Sequence, residues 1–550
     1  MPQPFVDRLP LEMLYHWTKE IPDAVYLRQP INGQYTDYTW KEVNRQVRLF
    51  AGYLKSLDLP PGSNVGIFSK NCAHWMMADL AIMMAGHVSV PLYPNLTADS
   101  IAQIMEHSAT KVLFIGKLDN FSSMAPGIPA DTLTIGFPYP GADFKVSWND
   151  VLNSATPITD SPTRHESELA TIIYTSGTSG TPKGVMQTFK SMAAVGSNGC
   201  MIANIEPADR FFSYLPLAHC AERALVELCS LYGGGVVYFA ESLDTFAENL
   251  RTARPSLFLG VPRIWTKFQG GILNKLPQKK LDLFLRIPIL SSIIRKKIVG
   301  GLGLDQAKMT ITGAAPTPAS LIDWFARLGI NLQEAYGMTE NFAYSHLNPA
   351  DNIKVGTVGI ANPEVDVKLS EESEILVKSP CTMTGYYKAP EMTAEMFAGE
   401  YLRTGDKGSI DSDGFLKITG RVKDLFKTSK GKYVAPAPIE LKIAKSDLVE
   451  QVCVVGAGLP QPLAIVVLSE MAKGSEGDQL MSHFSELLEE INAQLDSHER
   501  LRKFVVVGDE WTVENSFLTP SMKLKRAMVE DAYGTNYEPW FNQSGRVIRH

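Results

Sequence analysis

The chain has 550 residues, too many for one ordinary hydrophobic core, so two or more domains are expected. Its 45% hydrophobic and 20% charged content is that of a soluble globular protein, and a formal net charge of -7 excludes a basic field built for nucleic acid. The six cysteines (Cys72, Cys200, Cys220, Cys229, Cys381, Cys453) form no C-x-x-C pair, which argues against a disulfide framework or zinc site and for a reducing, cytoplasmic setting.

The N-terminal MPQPFVDRLP lacks the basic-then-apolar pattern of a secretory signal. Residues 40–57 read as an amphipathic helix and 63–69 as a strand. The apolar stretch 75–93 contains Asp79, Gly86, His87 and Pro91, so it reads as a core helix and a strand, not a membrane span. Residues 98–108 read as a helix and 111–115 as a strand. The alternation continues through strands at 236–239, 257–259 and 309–311, which predicts mostly parallel sheets flanked by helices as far as about residue 420.

Residues 174–185 read YTSGTSGTPKGV and follow a β-branched, apolar segment at 170–174 that predicts a buried strand. Gly177 and Gly180 let the backbone bend tightly around an anion. Thr175, Ser176, Thr178, Ser179 and Thr181 offer hydroxyl donors, and Lys183 adds a point positive charge. Together they read as a polyphosphate cradle, with a Ser/Gly surface hairpin as the plainer alternative. The segment is not the common P-loop, because Pro182 precedes Lys183 and Gly184 follows it. A helix cannot run freely through Thr181 and Pro182, so the expected grip is that of a loop rather than of a helix dipole.

Residues 275–303 are rich in Leu and Ile, interrupted by Lys and Arg. A peripheral membrane contact through 275–300 is one reading; a helical excursion docked on the main domain is the favoured one. Gly300, Gly301 and Gly303 do not complete a dinucleotide fingerprint. Further along, GAAPTP at 313–318 supplies small residues that permit close approach of a flat ring. In QEAYGMTE at 333–340, Tyr336 offers an aromatic face, Gly337 gives room, Thr339 can donate to phosphate and Glu340 is a hard oxygen ligand suited to Mg²⁺. YLRTGD at 401–406 ends in Asp406, whose carboxylate can accept from both hydroxyls of a diol, and Arg421 follows a strand at 415–419. A boundary is expected at 420–423, before a smaller unit with strands at 451–455, 463–468 and 503–507 and a helix at 481–495. LTPSMKLKR at 518–526 places Lys523 three residues before Arg526.

In this order, and over nearly the whole chain, these segments resemble those of the adenylate-forming enzymes, the group of acyl-CoA synthetases, peptide-synthetase adenylation domains and luciferases. The resemblance implies an α/β fold: a large multi-sheet N-terminal adenylation domain (1–420) and a smaller, mobile α+β C-terminal domain (421–550). It implies a nucleotide site in which Gly313, Ala314 and Ala315, with Glu334, Ala335, Tyr336, Gly337 and Met338, border adenine. It further implies Thr175 and Glu340 at Mg²⁺, Asp406 on the ribose and Arg421 holding the nucleotide. Lys523 is the implied catalytic lysine, bridging a carboxylate and the α-phosphate of ATP, with Lys423 at the hinge and Lys427 and Lys432 facing nucleotide and coenzyme A. The family often has Gly before this lysine; Met522 here resembles the long-chain acyl-CoA synthetase branch, as do LPLAHCAER at 215–223 and GVPRIW at 260–265. In that branch His219 stands near the reacting carboxylate and acyl channel. The implied activity is fatty acid–CoA ligation: a medium- to long-chain acid and ATP give acyl-AMP and pyrophosphate, then coenzyme A gives acyl-CoA and AMP. The alternatives are an acyl-AMP ligase loading a carrier-protein phosphopantetheine and a non-catalytic nucleotide-binding scaffold; intact Thr175, Glu340, Asp406 and Lys523 argue against the scaffold. Acyl length and oligomeric state are left open by these residues.

Overall fold

The computed structural model describes residues 8–139, 144–176, 182–473 and 477–550. Gly177, Thr178, Ser179, Gly180 and Thr181 of the expected phosphate loop lie outside the described residues, as does the side chain of Ser176.

Helix Ala73–Ala85 is buried along its whole length. A helix that is apolar on every side must lie between layers, and this one does. The core around it draws Tyr26, Leu27, Phe211 and Val237 from one sheet and Val65, Ile67, Val112, Phe114 and Ile173 from another. Helix Trp40–Ser56 packs beside it through an apolar stripe of Val43, Val47, Phe50 and Leu54, and starts where the Thr39 hydroxyl accepts from the Glu42 N–H.

The first sheet has nine strands, with a parallel centre in the order Val25–Ile31, Val236–Phe239, Arg210–Ser213, Leu257–Gly260, Met309–Thr312, Leu332–Tyr336. The second has eight strands, and its centre (Val112–Ile115, Asn64–Phe68, Val88–Leu92, Leu169–Ser176) is also parallel. Its far edge turns antiparallel at Pro182–Thr188 and Gly385–Tyr386. These sheets bear out the expected α/β alternation. A third sheet departs from it: Asp366–Leu369, Glu374–Lys378, Phe397–Ala398, Tyr401–Ile410 and Leu416–Arg421 pair only antiparallel. Sequence reading finds only its last strand: Asp366–Leu369, Glu374–Lys378 and Phe397–Ala398 are too short to show periodicity, and Tyr401–Ile410 is interrupted by Gly405, Gly408 and a bulge.

The smaller C-terminal domain is built on a sheet of Val449–Val455, Leu463–Leu468, Lys503–Val507 and Val547–Arg549. Alternation along these strands separates two cores. Val454, Val466 and Phe504 face helices Pro436–Ile443 and Gly477–Asn492, while Cys453, Ile465 and Val505 face Arg526–Tyr533 and Tyr537–Asn542. The helix expected at 481–495 ends at Asn492, whose amide clasps the Leu501 N–H (2.8 Å) and carbonyl (2.9 Å) and turns the chain toward the next strand.

Residues 262–302 form three helices, Pro262–Lys275, Gln278–Arg286 and Pro288–Leu302; the last two are the docked helical excursion that the favoured reading expected over 275–303. No helix among the described residues is long and apolar enough to cross a membrane.

Candidate active site

Strands Leu169–Ser176 and Pro182–Thr188 form an antiparallel hairpin with Thr175 opposite Lys183 and Ser176 opposite Pro182. Lys183 therefore stands on a strand, and the next helix begins only at Phe189. The Lys183 ammonium lies 5.6 Å from the centre of the Tyr386 ring. The Tyr386 hydroxyl donates to Glu340 Oε1 at 2.6 Å, and the Met383 N–H donates to the Glu340 carbonyl at 2.7 Å. Burial and the Glu340 charge both push the Tyr386 pKa up, so its proton stays in place. Glu340 sits in the tight turn Thr339–Asn341, directly after strand Leu332–Tyr336. The chain reverses there with Phe342 and Ala343 in left-handed conformation (φ 53° and 59°). A Cβ on Gly337 would stand 2.5 Å from the Ala343 carbonyl carbon, so only glycine fits.

Glu340 fits a hydrated divalent cation. Among the described residues it makes no ion pair, its second carboxylate oxygen accepts no hydrogen bond, and no group of three or more His, Cys, Asp or Glu forms a protein cage. One half-buried carboxylate beside the strands Leu169–Ser176 and Pro182–Thr188 is the donor set expected for Mg²⁺, which keeps its waters and bridges phosphates.

A second wall comes from three strands. Asp406 stands opposite Arg421 in the third sheet, and its Oδ1 accepts from Arg421 Nε at 2.8 Å. Its Oδ2 accepts from the Tyr336 hydroxyl at 2.7 Å. Burial, then the Asp406 charge, hold the Tyr336 pKa well above the phenol range. The loop 313–318 is stitched to this wall: the Thr317 N–H donates to Glu334 Oε1 at 3.3 Å, and Thr312 and Thr317 hydroxyls meet at 2.8 Å. Burial pushes Glu334 up to about 7. Gly313 lies so close to Ala335 that a Cβ would come 2.9 Å from its carbonyl oxygen, and Ala314 is left-handed at φ 63°.

The third contribution crosses from the small domain. Leu518 and Leu524 bridge a narrow hairpin in which the Thr519 N–H donates to the Lys523 carbonyl at 2.8 Å and the Lys523 N–H to the Thr519 hydroxyl at 3.0 Å. Met522 at its tip has φ 63°, the conformation glycine adopts freely, so the departure from the family's glycine preserves the turn at the cost of strain. Asn95 of the large domain donates from Nδ2 to the Pro520 carbonyl at 2.9 Å. Lys523 is exposed to solvent, with a dense mass of protein around it. That surrounding mass lowers its pKa most and Arg421 lowers it further, while Cys220, Asp406 and Glu340 oppose the shift. Arg526, three residues on, is bound to Glu440 and to Asp424 at 3.5 Å, tying this hairpin to the turn after Arg421.

His219 caps the short helix Cys220–Glu222, its Nδ1 accepting from the Ala221 N–H at 3.1 Å. That bond assigns the ring proton to Nε2. Burial and the Lys523 ammonium push its pKa down to about 4, so the ring is neutral at pH 7. The Cys220 thiol, 3.5 Å from the Thr339 hydroxyl, is pushed up to about 11 by burial and stays protonated.

The structure thus brings Thr175, Lys183 and Glu340, then Tyr336, Asp406 and Arg421, and finally His219 and Lys523 around one cleft. It does not bring in Lys423, Lys427 or Lys432. Lys423 lies in an exposed turn, Lys427 is exposed on the strand Phe426–Lys427 and Lys432 is exposed just before its partner Tyr433–Val434, and none of the three makes a hydrogen bond or ion pair to the described site groups. Sequence reading missed four residues: Tyr386, Asn95, Asn71 and Glu222. Glu222 Oε1 accepts from the Ser213 hydroxyl (2.9 Å), the Tyr214 N–H (3.0 Å) and Asn71 Nδ2 (3.2 Å). Asn71 Oδ1 accepts from the Leu217 N–H at 2.9 Å, so the pair shapes the loop that carries His219. A carboxylate three residues after His219, in an otherwise apolar stretch, was the available signal for Glu222; Asn71, Asn95 and Tyr386 carry none locally.

A layered α/β domain and a small domain that places a lysine beside a carboxylate-lined cleft define the adenylate-forming class of protein. Residues 14–387 match the AMP-binding enzyme family and 423–544 match the AMP-binding enzyme C-terminal domain. The chain belongs to the AMP-binding enzyme family. It is 28% identical over 582 residues to the long-chain-fatty-acid–CoA ligase FadD15 of Mycobacterium bovis, with 96% of each chain covered. It is 30% identical over 577 residues to fatty acyl-CoA synthetase A of Dictyostelium discoideum, covering 92% of this chain and 86% of that one. Its fold matches the adenylation domain of a carboxylate reductase from Mycobacterium chelonae with TM-score 0.82 at 22% identity, covering 98% of this chain and 92% of that one. It matches the anthranilate CoA ligase AuaEII, solved with anthranoyl-AMP, with TM-score 0.77 at 19% identity, covering 98% and 99%.

Proposed function

We propose that this protein is a fatty acid–CoA ligase that joins a medium- to long-chain carboxylic acid to coenzyme A through an acyl-AMP intermediate, at the expense of ATP. The observation that carries the reading is the small-domain hairpin between Leu518 and Leu524, which bears Lys523 and is bound to the large domain through Asn95.

A carboxylate is a poor electrophile because its leaving group would be oxide. Attack on the α-phosphate of ATP turns it into a mixed anhydride, and the barrier is anion–anion repulsion and alignment. Lys523 supplies positive charge where the two anions meet. Neutral His219 offers an Nε2–H to orient the acid. Asp406 accepts from the ribose hydroxyls beside its bonds to Tyr336 and Arg421, and residues 313–315 and 334–338 border adenine. Residues 175–181 and Lys183 hold the β- and γ-phosphates, and Thr339 donates beside them. Thr175 and Glu340 hold Mg²⁺, which when bound neutralises phosphate charge. The domain boundary lies at 420/421, and Lys423 is the hinge about which the small domain turns once acyl-AMP has formed. That turn withdraws Lys523, admits the thiol and brings Lys427 and Lys432 to face nucleotide and coenzyme A.

The test is a panel of short- to long-chain acids with ATP and Mg²⁺, run with and without coenzyme A. Acid-dependent pyrophosphate and AMP, with a thioester when coenzyme A is present, is the expected result. No acid-dependent pyrophosphate from any acid would overturn the enzyme reading. Acyl-AMP that passes to a phosphopantetheinyl carrier but not to coenzyme A would reassign the acceptor.

A further inference from the structure

Helices Gln278–Arg286 and Pro288–Leu302 bury one face and leave a second apolar face in solvent. Leu281 is fully buried, and Leu285, Ile294 and Ile298 pack on the large-domain core, so the helices are already docked. Outward stand Leu283 (56% exposed), Ile287 (47%), Ile289 (79%) and Ile293 (57%), four of the few large hydrophobics that the described residues expose. Ile289 and Ile293 are four residues apart on one helix face. The patch is rimmed by cations: residues 275–297 carry seven Lys or Arg against one acid, Asp282, in a chain of net charge -7. Arg286 and Arg295 line a recess of about 370 Å³ with Arg327, Asp282 and Leu285. Asp282 is already taken by Arg327 and by Gln278 Nε2 at 2.9 Å, and neither Arg286 nor Arg295 has an ion pair among the described residues. Trp324 Nε1 donates to Gln278 Oε1 at 2.9 Å and fixes the first helix to the body of the domain.

We propose that this helix pair docks the protein on an anionic lipid bilayer. The four apolar side chains enter the headgroup–acyl boundary while Arg286 and Arg295 take lipid phosphate. An apolar face with a basic rim is what an interfacial helix requires. The same rim disfavours a protein partner, since lysine is depleted from protein interfaces, and a second copy would set two basic surfaces against each other. The inference goes beyond the ligase reading and does not need it, because docking is measured without ATP or acid.

The full-length protein is sedimented with vesicles of phosphatidylcholine alone and of phosphatidylcholine mixed with phosphatidylglycerol. Binding to the mixed vesicles alone is expected, weakened about fivefold by each of Arg286→Ala and Arg295→Ala and by added salt. The double change Ile289→Ser and Ile293→Ser should weaken it at least about tenfold, whereas Leu243→Ser, at an exposed apolar residue elsewhere (88%), should not. Unchanged circular dichroism melting of each variant shows that loss of binding is not loss of fold. Equal binding to neutral vesicles, or binding indifferent to the isoleucines, would overturn the proposal. So would inorganic phosphate raising the melting temperature through Arg286 and Arg295 while vesicles fail to bind, or a dimer that the isoleucine changes dissolve.

Discussion

At Met522 a side chain that is 49% exposed sits on a backbone at φ 63°, so little packing offsets the left-handed strain. Met522→Gly removes that strain and gives back part of the gain as unfolded-chain entropy, for a net stabilisation of about 0.5–1 kcal/mol. Urea unfolding of the two proteins measures it, and a less stable glycine variant would contradict the strain argument. Next to it, Lys523→Ala should abolish acid-dependent pyrophosphate release yet spare thioester formation from supplied acyl-AMP; equal loss of both steps would refute its assignment. The pH profile carries the same logic. The pKa of Lys523 is lowered, so the ammonium that adenylation needs is lost as pH rises, at a lower pH than for an ordinary lysine. An alkaline limb at the unperturbed lysine value would argue that another cation acts there.

The loop carrying His219 is held from both ends by buried polar groups, a carboxyl at one end and a guanidinium at the other. Glu222, pushed up to about 8 by burial, clamps its start. Just beyond, in the π-helical turn Arg223–Leu228, Arg223 pairs with Asp79 at 2.6 Å and Glu227 at 2.8 Å and donates to the Thr171 hydroxyl at 2.8 Å. Neither Arg223 nor Asp79 has any solvent exposure, and Asp79 lies midway along the otherwise apolar helix Ala73–Ala85. One guanidinium thus joins the interlayer helix, the π-helical turn and the strand Leu169–Ser176. Arg223→Ala leaves buried carboxyls without their cation and should cost about 3–5 kcal/mol, read as a lower urea midpoint at unchanged slope. A cost under about 1 kcal/mol would show that the triad is dispensable. For Glu222 the sign is the opposite of a salt-bridged carboxylate. Between the usual carboxyl pKa and about 8 the folded state holds a proton that the unfolded state has lost, so stability falls as pH rises, by at most about 1.4 kcal/mol per pH unit. Glu222→Gln should flatten that fall in a series of melting curves from pH 5 to 8; an unchanged slope would rule Glu222 out as its source.

Across the whole molecule the two domains meet where chemistry is required of them. Asn95 holds Pro520, three residues before Lys523, and Arg263 approaches Glu450 at 3.5 Å with both side chains about half exposed. A solvent-exposed ion pair contributes little, which suits the domain rotation proposed above. The Asn95 bond is the more consequential, and Asn95→Ala should slow adenylation about fivefold, the worth of one hydrogen bond, while leaving thioester formation from supplied acyl-AMP unchanged. Stopped-flow assays of each half-reaction separate the two. Equal slowing of both would show that Asn95 supports the fold rather than this domain orientation.

Much of this protein was legible in residues alone, and the reason is local. Trp40–Ser56, Ala98–Ser108 and the apolar parallel strands declare themselves because one periodic segment fills one buried place. The cleft motifs are equally readable, since glycine, hydroxyl and charge at fixed spacing describe what a polyphosphate requires. Short antiparallel strands such as Asp366–Leu369 were not, because their pairing lies in partners rather than in pattern. Nor were Tyr386 on Glu340, Asn71 on Glu222 and Asn95 on Pro520, whose partners stand 46, 151 and 425 residues away. The sequence by itself determined the family and the α/β layering, and it named the groups proposed to surround ATP. Only the tertiary structure decided which buried polar contacts hold those groups, that Met522 adopts the left-handed backbone of a glycine, and that the helices after residue 275 keep an apolar face in solvent. Such facts depend on what burial brings together, and no segment carries that information alone.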